Sequence, residues 1–262
     1  MYQTFVAAGL AVLLLGTGPT AIRASQVSVD VELVIAVDVS GSMRTEEHEL
    51  QRRGFLAAFS DETLIRAIQS GPYGRIAVTY MEWADQYSQS VLVPWRIIKD
   101  HATARVFREE LAPKPRSAIS GTSISSALLF ATSLFAKSPY QGSRKVIDVS
   151  GDGPNRTGKH VNAVRDAVLR QGIIINGLPL MLSPMLRHKT HGVDLHHYFE
   201  DCVIGGPSAF VYPVRVKEQF AEAIRRKLII EVSGQPAQVV LAAQRSRRLV
   251  NCQIGRSNID SW

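Results

Sequence analysis

Three short stretches of this sequence place oxygen-bearing side chains where the backbone must turn. In Asp38-Val39-Ser40-Gly41-Ser42, one carboxylate and two hydroxyls fall at alternate positions after the apolar run 33–37. Ser120-Gly121-Thr122-Ser123 opens a helical stripe of Ile124, Ala127, Leu128, Ala131, Leu134 and Phe135. Ser150-Gly151-Asp152-Gly153-Pro154-Asn155 follows the strand-like run 146–149. Carboxylates and hydroxyls are the ligands of hard divalent cations. Carboxylates of the first and third loops would roughly neutralise one Mg²⁺, and hydroxyls of the loops would ligate it while adding no charge. Mn²⁺ or Ca²⁺ could take the same place. Taken singly, such residues are common helix caps and turn formers; three such loops, each at the end of a strand or the start of a helix, point to one site. Asp148 lies inside the strand-like run, where an unpaired carboxylate is costly. It is expected to be hydrogen-bonded in a supporting or structural role, without direct ligation.

Strand and helix patterns alternate along the chain. Strands are expected at 33–37, 75–80, 90–95 (closed by Pro94), 145–150 and 173–178. Helices are expected at 46–59, capped by Thr45, and at 102–111, 124–135, 161–168 and 220–228, the last fading by Gly234. Strands separated by such helices build βαβ units. The fold class is α/β: a doubly wound, mostly parallel, Rossmann-like sheet with helices on both faces. The short link between 75–80 and 90–95 makes one of that pair an antiparallel edge strand. In an open sheet of this kind, ligands bind beyond the carboxyl ends of the strands, where all three loops would lie.

The three loops resemble the metal-ion-dependent adhesion site of von Willebrand factor type A domains. That pattern is D-x-S-x-S, then a Thr at the start of a later helix, then Asp-Gly after the fourth strand. Asp38, Ser40, Ser42, Thr122 and Asp152 match it in order, and the likeness spans roughly residues 29–232. The sequence is similar, more closely still, to a bacterial, signal-peptide-bearing branch of that superfamily, the domain family of unknown function DUF1194. The stretches GPYGRIAVTYMEW, VIDVSGDGPN, INGLPLML, DCVIGGPSAFVYPV and FAEAIRRKLIIEV carry that likeness. The resemblance implies that the serines and often the threonine touch the ion, with one or both aspartates acting through water. It also implies that an acidic side chain of a partner protein fills the open position. The expected role is binding through the metal, not enzymatic.

The remaining sequence narrows the setting. The 262 residues, 45% hydrophobic, suffice for one sizeable core. Residues 1–24 read as a signal peptide: the apolar run 5–15 is too short to span a bilayer comfortably, and Ala21 and Ala24 offer cleavage positions. Export to the periplasm or medium follows, and no later stretch suits a transmembrane helix. The domain is expected over 29–234 and a basic tail over 235–262. The net charge of +7 gathers at Arg225, Arg226 and Lys227 and at Arg245, Arg247, Arg248 and Arg256. Solvated helix faces and a basic tail account for it, with no nucleic-acid module in view. Cys202 and Cys252 leave two readings open, a disulfide or two thiols. His188, His191, His196 and His197 cluster in one segment, where His188-x-x-His191 is either a pair of zinc ligands on a turn or part of a solvated loop, and H-E-x-x-H is absent. The enzymatic rival is a metal-dependent hydrolase of the cell envelope, using the same ion as a Lewis acid. A serine-hydrolase elbow, a phosphate loop and a dinucleotide fingerprint are all missing.

Overall fold

The computed structural model describes residues 26–113, 120–182, 194–234 and 249–254. The signal segment, His188, His191 and most of the basic tail lie outside the described residues.

Five strands form one sheet in the order β3-β2-β1-β4-β5. They are β1 (Val27–Asp38), β2 (Ile76–Trp83), β3 (Gln89–Ile98), β4 (Tyr140–Gly151) and β5 (Ile173–Pro179). β1 is parallel to β2 and β4, and β4 to β5, while β3 runs antiparallel on the edge. The central strand β1 is covered on both faces, which is why its sequence is nearly all apolar. Its side chains alternate. Leu33, Ile35 and Val37 face one core with α1 (Thr45–Ala58), α2 (Glu62–Gln69), α3 (His101–Leu111) and α7 (Phe220–Ser233). Val34 and Ala36 face the other with α4 (Ile124–Ala136), α5 (Val161–Leu169) and α6 (Leu195–Tyr198), the last running into a wide turn over Phe199–Val203. The parallel order throws the loops after β1 and β4 to the same rim, and β1 sits between the two crossovers.

Several details depart from expectation. β3 continues through Pro94 to Ile98, because an edge strand tolerates a residue without an N–H. Its register against β2 shifts there: Val78 pairs with Arg96 but Tyr80 with Val93. α1 is capped at Arg44, not Thr45, and the Glu47 carboxylate accepts the Arg44 N–H at 3.0 Å. α2 was not expected. Asp61 caps it, accepting from the Thr63 N–H at 2.8 Å, and Leu64, Ile65 and Ile68 are its buried stripe. Residues 210–214 run beside β5 as an irregular sixth strand: the Gly177 and Met181 N–H groups donate to the carbonyls of Phe210 and Val214. That segment covers an edge otherwise open to pairing.

Lys227 corrects the reading of 225–227 as a solvated basic face. Its side chain is fully buried, with Asp148 at 2.5 Å and Glu231 as a second partner. Asp148 therefore has the structural role expected of it. Cys202 and Cys252 form a disulfide, bringing Val250 and Ile254 against the second core.

Candidate metal centre

β1 ends at Asp38 with its side chain wholly buried, and the chain then turns through Ser40, Gly41 and Ser42 before α1. The turn is held by its own first residue: Asp38 Oδ1 accepts the Ser40 N–H at 2.7 Å. The hydroxyls of Ser40 and Ser42 lie 3.0 Å apart. Ser42 in turn donates to Asp152 Oδ1 at 2.7 Å, across the rim from the end of β4. The Ser40 and Ser42 hydroxyls and the Asp152 carboxylate thus form one chain of oxygens, and Asp38 joins it through the Ser40 backbone N–H. Thr122 meets them across a cleft of about 560 Å³, whose walls are Gly41 and Ser42 on one side, 120–122 on another, and Arg156 and Thr157 on the third. The Thr122 carbonyl accepts from the N–H groups of Arg156 at 2.9 Å and Thr157 at 3.2 Å, which fixes its loop to the one after Asp152.

Sequence reasoning missed the groups that hold these loops. Gln51 is fully buried on α1. Its Nε2 donates to the Asp38 carbonyl at 3.2 Å, and its Oε1 accepts from the Ser150 hydroxyl at 2.9 Å. It ties the first loop to the third. The signal was present: Gln51 is a polar residue on the stripe that includes Phe55 and Ala58. Asn155 does the same for the second and third loops. Its Oδ1 accepts the Ser125 N–H at 2.9 Å, and its Nδ2 donates to the carbonyls of Thr157 and Lys159, each at 3.1 Å. Trp83 fills the space beneath Gly151 and donates to the Ala36 carbonyl at 3.1 Å. At Gly121 the backbone has φ +105°, and an added Cβ would lie 2.7 Å from the Asp85 Cβ, so only glycine suits this wall.

The electrostatics are those of a site short of positive charge. Burial pushes the Asp38 carboxyl up to about 8, and the neighbouring Asp152 charge pushes the same way against the bonds from Ser40. Burial also lifts Asp152, to about 6, with the Ser42 hydrogen bond opposing and the Glu47 charge adding. Asp38 Oδ2 is buried with no hydrogen-bond partner. A buried carboxylate oxygen left bare is costly unless something cationic meets it. A hard divalent ion fits these donors: two carboxylates offset its charge and three hydroxyls fill positions without adding more. Among the described residues, no group of three or more His, Cys, Asp or Glu side chains is placed to hold a metal. An ion at this rim would rely on hydroxyl ligands as much as on carboxylates. His196 lies 3.2 Å from Glu200 on the same helical segment, while the possible zinc pair His188 and His191 falls outside the described residues.

Solved structures similar to this chain share its fold at low sequence identity. Proximal thread matrix protein 1 from the mussel byssus superposes with a TM-score of 0.58 at 10% identity, over 79% of this chain and 49% of that one. A second structure of that protein, 13% identical with a TM-score of 0.56 over 78% of this chain and 46% of that one, is described as having a zinc-occupied MIDAS motif. The von Willebrand factor type A protein from Catenulispora acidiphila gives a TM-score of 0.50 at 17% identity, over 79% of this chain and 43% of that one. The chain thus spans about half the length of these proteins or less. No curated protein matches the sequence significantly. Residues 28–236 match the family described as "Protein of unknown function (DUF1194)". The chain belongs to that family, and its mostly parallel five-stranded sheet is the fold of von Willebrand factor type A domains.

Proposed function

We propose that this protein is an exported binding module that engages a partner protein through a divalent cation held by Asp38, Ser40, Ser42, Thr122 and Asp152. The observation that carries the reading is Asp38 Oδ2: a carboxylate oxygen sealed from water and without a partner, on the residue whose other oxygen holds the Ser40 N–H of the loop that carries the Ser40–Ser42–Asp152 oxygens. Mg²⁺ suits the site best, since it keeps several waters and shares its shell with an incoming oxygen. Bound there, the ion supplies an electrophilic position for a carboxylate of the partner. The protein's own part is to hold the five donors in place through Gln51 and Asn155 and to exclude water from beneath them with Trp83.

Binding is favoured over hydrolysis by the walls of the cleft. Among the described residues they offer hydroxyls, glycines and one guanidinium, and no side chain suited to act as a general base. Tyr87, 84% exposed at the tip of the β2–β3 hairpin, adds an aromatic surface of the kind enriched at protein interfaces. Its N–H donates to Asp85, which packs against Gly121 of the cleft. Export is supported by the apolar amino-terminal run and by a disulfide in the folded domain, a bond that persists in oxidising compartments. Among the described residues no helix is long and apolar enough to cross a membrane.

Isothermal titration of the full chain with Mg²⁺ and with Mn²⁺ tests the metal site. Saturable heat is expected from the wild type and none from Asp38→Ala. Equal heats from both proteins would remove these residues from the site.

A further inference from the structure

We infer that the cleft takes its acidic partner segment at two points, one carboxylate on the cation and a second on the Arg156 guanidinium; the inference rests on the metal-binding reading above. Arg156 lines the same cleft as Ser42 and Thr122 and is exposed there. Its backbone is fixed with respect to Thr122 by the 2.9 Å bond to that carbonyl. The preceding residue, Asn155, is buried, and its N–H donates to the Tyr198 hydroxyl at 3.0 Å. The guanidinium thus starts from a rigid base beside the donors. Several other arginines are paired with a carboxylate: Arg96 with Glu110, Arg165 with Asp166, Arg225 and Arg226 with Glu222. Among the described residues no carboxylate pairs with Arg156.

Arg156 is the one charged side chain among the described residues that line the cleft, so a ligand carboxylate extending from the cation is drawn toward it. The planar guanidinium matches a carboxylate with two parallel hydrogen bonds, which a lysine does not reproduce. The partner chemistry is a protein segment with two neighbouring Asp or Glu side chains.

The test uses two fluorescein-labelled, amidated peptides, hexa-aspartate and a hexamer of one Asp and five Asn, with Mg²⁺ in large excess. Anisotropy should show hexa-aspartate binding about tenfold tighter than the one-Asp peptide. Both should be released by EDTA and both lost with Asp38→Ala. Arg156→Gln should lower the ratio to the statistical advantage of six candidate carboxylates over one, Arg156→Lys should restore part of the loss, and Lys159→Gln, a neighbouring exposed cation, should leave the ratio unchanged. Metal-dependent binding whose ratio ignores Arg156→Gln overturns the two-point inference alone. So does an equal effect of Lys159→Gln, which would mean diffuse attraction, or a failure of hexa-aspartate to bind while Mg²⁺ binds normally. Absence of Mg²⁺ binding itself overturns the metal reading and this inference with it.

Discussion

Lys227 Nζ lies 2.5 Å from Asp148 Oδ1, joining the last helix to the middle of β4 with both side chains closed to solvent. Glu231, one turn further along the helix, shares the same ammonium, and the Asn176 amide donates to it at 3.0 Å. Removing the lysine leaves two carboxylates facing each other in the core. Breaking a buried pair from one side costs about 3–5 kcal/mol. Lys227→Met is therefore expected to lower unfolding stability by that amount in urea denaturation. The triple change Lys227→Met, Asp148→Asn, Glu231→Gln should recover most of it. A loss below about 1 kcal/mol for the single variant would mean that the cluster is not held as a charged unit.

The same cluster gives the fold a pH dependence. Burial pushes Glu231 up to about 7, the Asp148 charge adding and Lys227 opposing. The folded state then holds a proton that the unfolded chain, with an ordinary Glu near 4.5, releases earlier. This contribution to stability is fully present below pH 4.5 and is lost as pH rises through 7. The facing groups are Asp148, Lys227 and Asn176, and Glu231→Gln removes the titration while keeping the Asn176 contact. Urea midpoints from pH 5 to 8 should fall more steeply for the wild type than for Glu231→Gln. Parallel slopes would count against the protonated form.

This cluster also shows where sequence reading stops. The motif Asp38, Ser40, Ser42, Thr122, Asp152 was legible because local spacing and strand ends fix which rim each residue reaches. The parallel sheet and its antiparallel edge were legible because β1, β4 and β5 are apolar runs separated by helices. Lys227 was not, since an Arg-Arg-Lys run on a helix looks solvated until the helix is docked and its buried stripe falls on the third position. Gln51 and Asn155 were equally hidden: the bonds that join the loops run from Gln51 to Ser150, 99 positions away, and from Asn155 to Ser125, 30 positions away. α2 escaped because it is barely two turns long, with only Asp61 and three apolar residues to mark it.

At neutral pH, a carboxyl pushed up to about 8 stays largely protonated in the metal-free fold. Asn is then close to isosteric and isoelectronic with Asp38 as it stands there. Asp38→Asn is expected to change metal-free stability by less than about 1 kcal/mol, in the range of ordinary mild substitutions. It should nevertheless abolish stabilisation by Mg²⁺, which for the wild type reaches about 2.7 kcal/mol at one hundred times the dissociation constant. Thermal unfolding of both proteins with Mg²⁺ and with EDTA measures both quantities. An undiminished Mg²⁺ shift in Asp38→Asn would be incompatible with the proposed ligand set.

Gly121 separates backbone strain from lost ligands. Its φ of +105° disfavours any L side chain, and a Cβ would press on Asp85 at 2.7 Å. Strain of this kind costs about 1–3 kcal/mol when the surroundings enforce it. Gly121→Ala should be destabilised by that amount or should relieve the clash by moving 120–122, carrying Thr122 away from Ser42. In the second case Mg²⁺ affinity falls although all five oxygen donors are intact. Calorimetry showing wild-type affinity and wild-type stability together would mean that this wall of the cleft does not need its glycine.

The disulfide between Cys202 and Cys252 closes a loop with a sequence separation of 50 residues. It fastens the residues around Val250 and Ile254 onto the core behind α5 and α6, where the Val250 N–H also donates to Asp201 at 2.8 Å. Cross-linking over such a span restricts the unfolded chain and is worth about 2–4 kcal/mol. The double variant Cys202→Ser, Cys252→Ser should lose that much stability, and reductant should lower the melting temperature of the wild type but not of the variant. The candidate metal site lies at the rim where β1 and β4 end, whereas this bond joins the turn after α6 to the tail. Mg²⁺ affinity of the folded double variant is therefore expected to match the wild type. Loss of stability with no loss of affinity would separate the part of the chain that holds the fold closed from the part that meets the ion. A parallel loss of both would show that the tail also positions the loops.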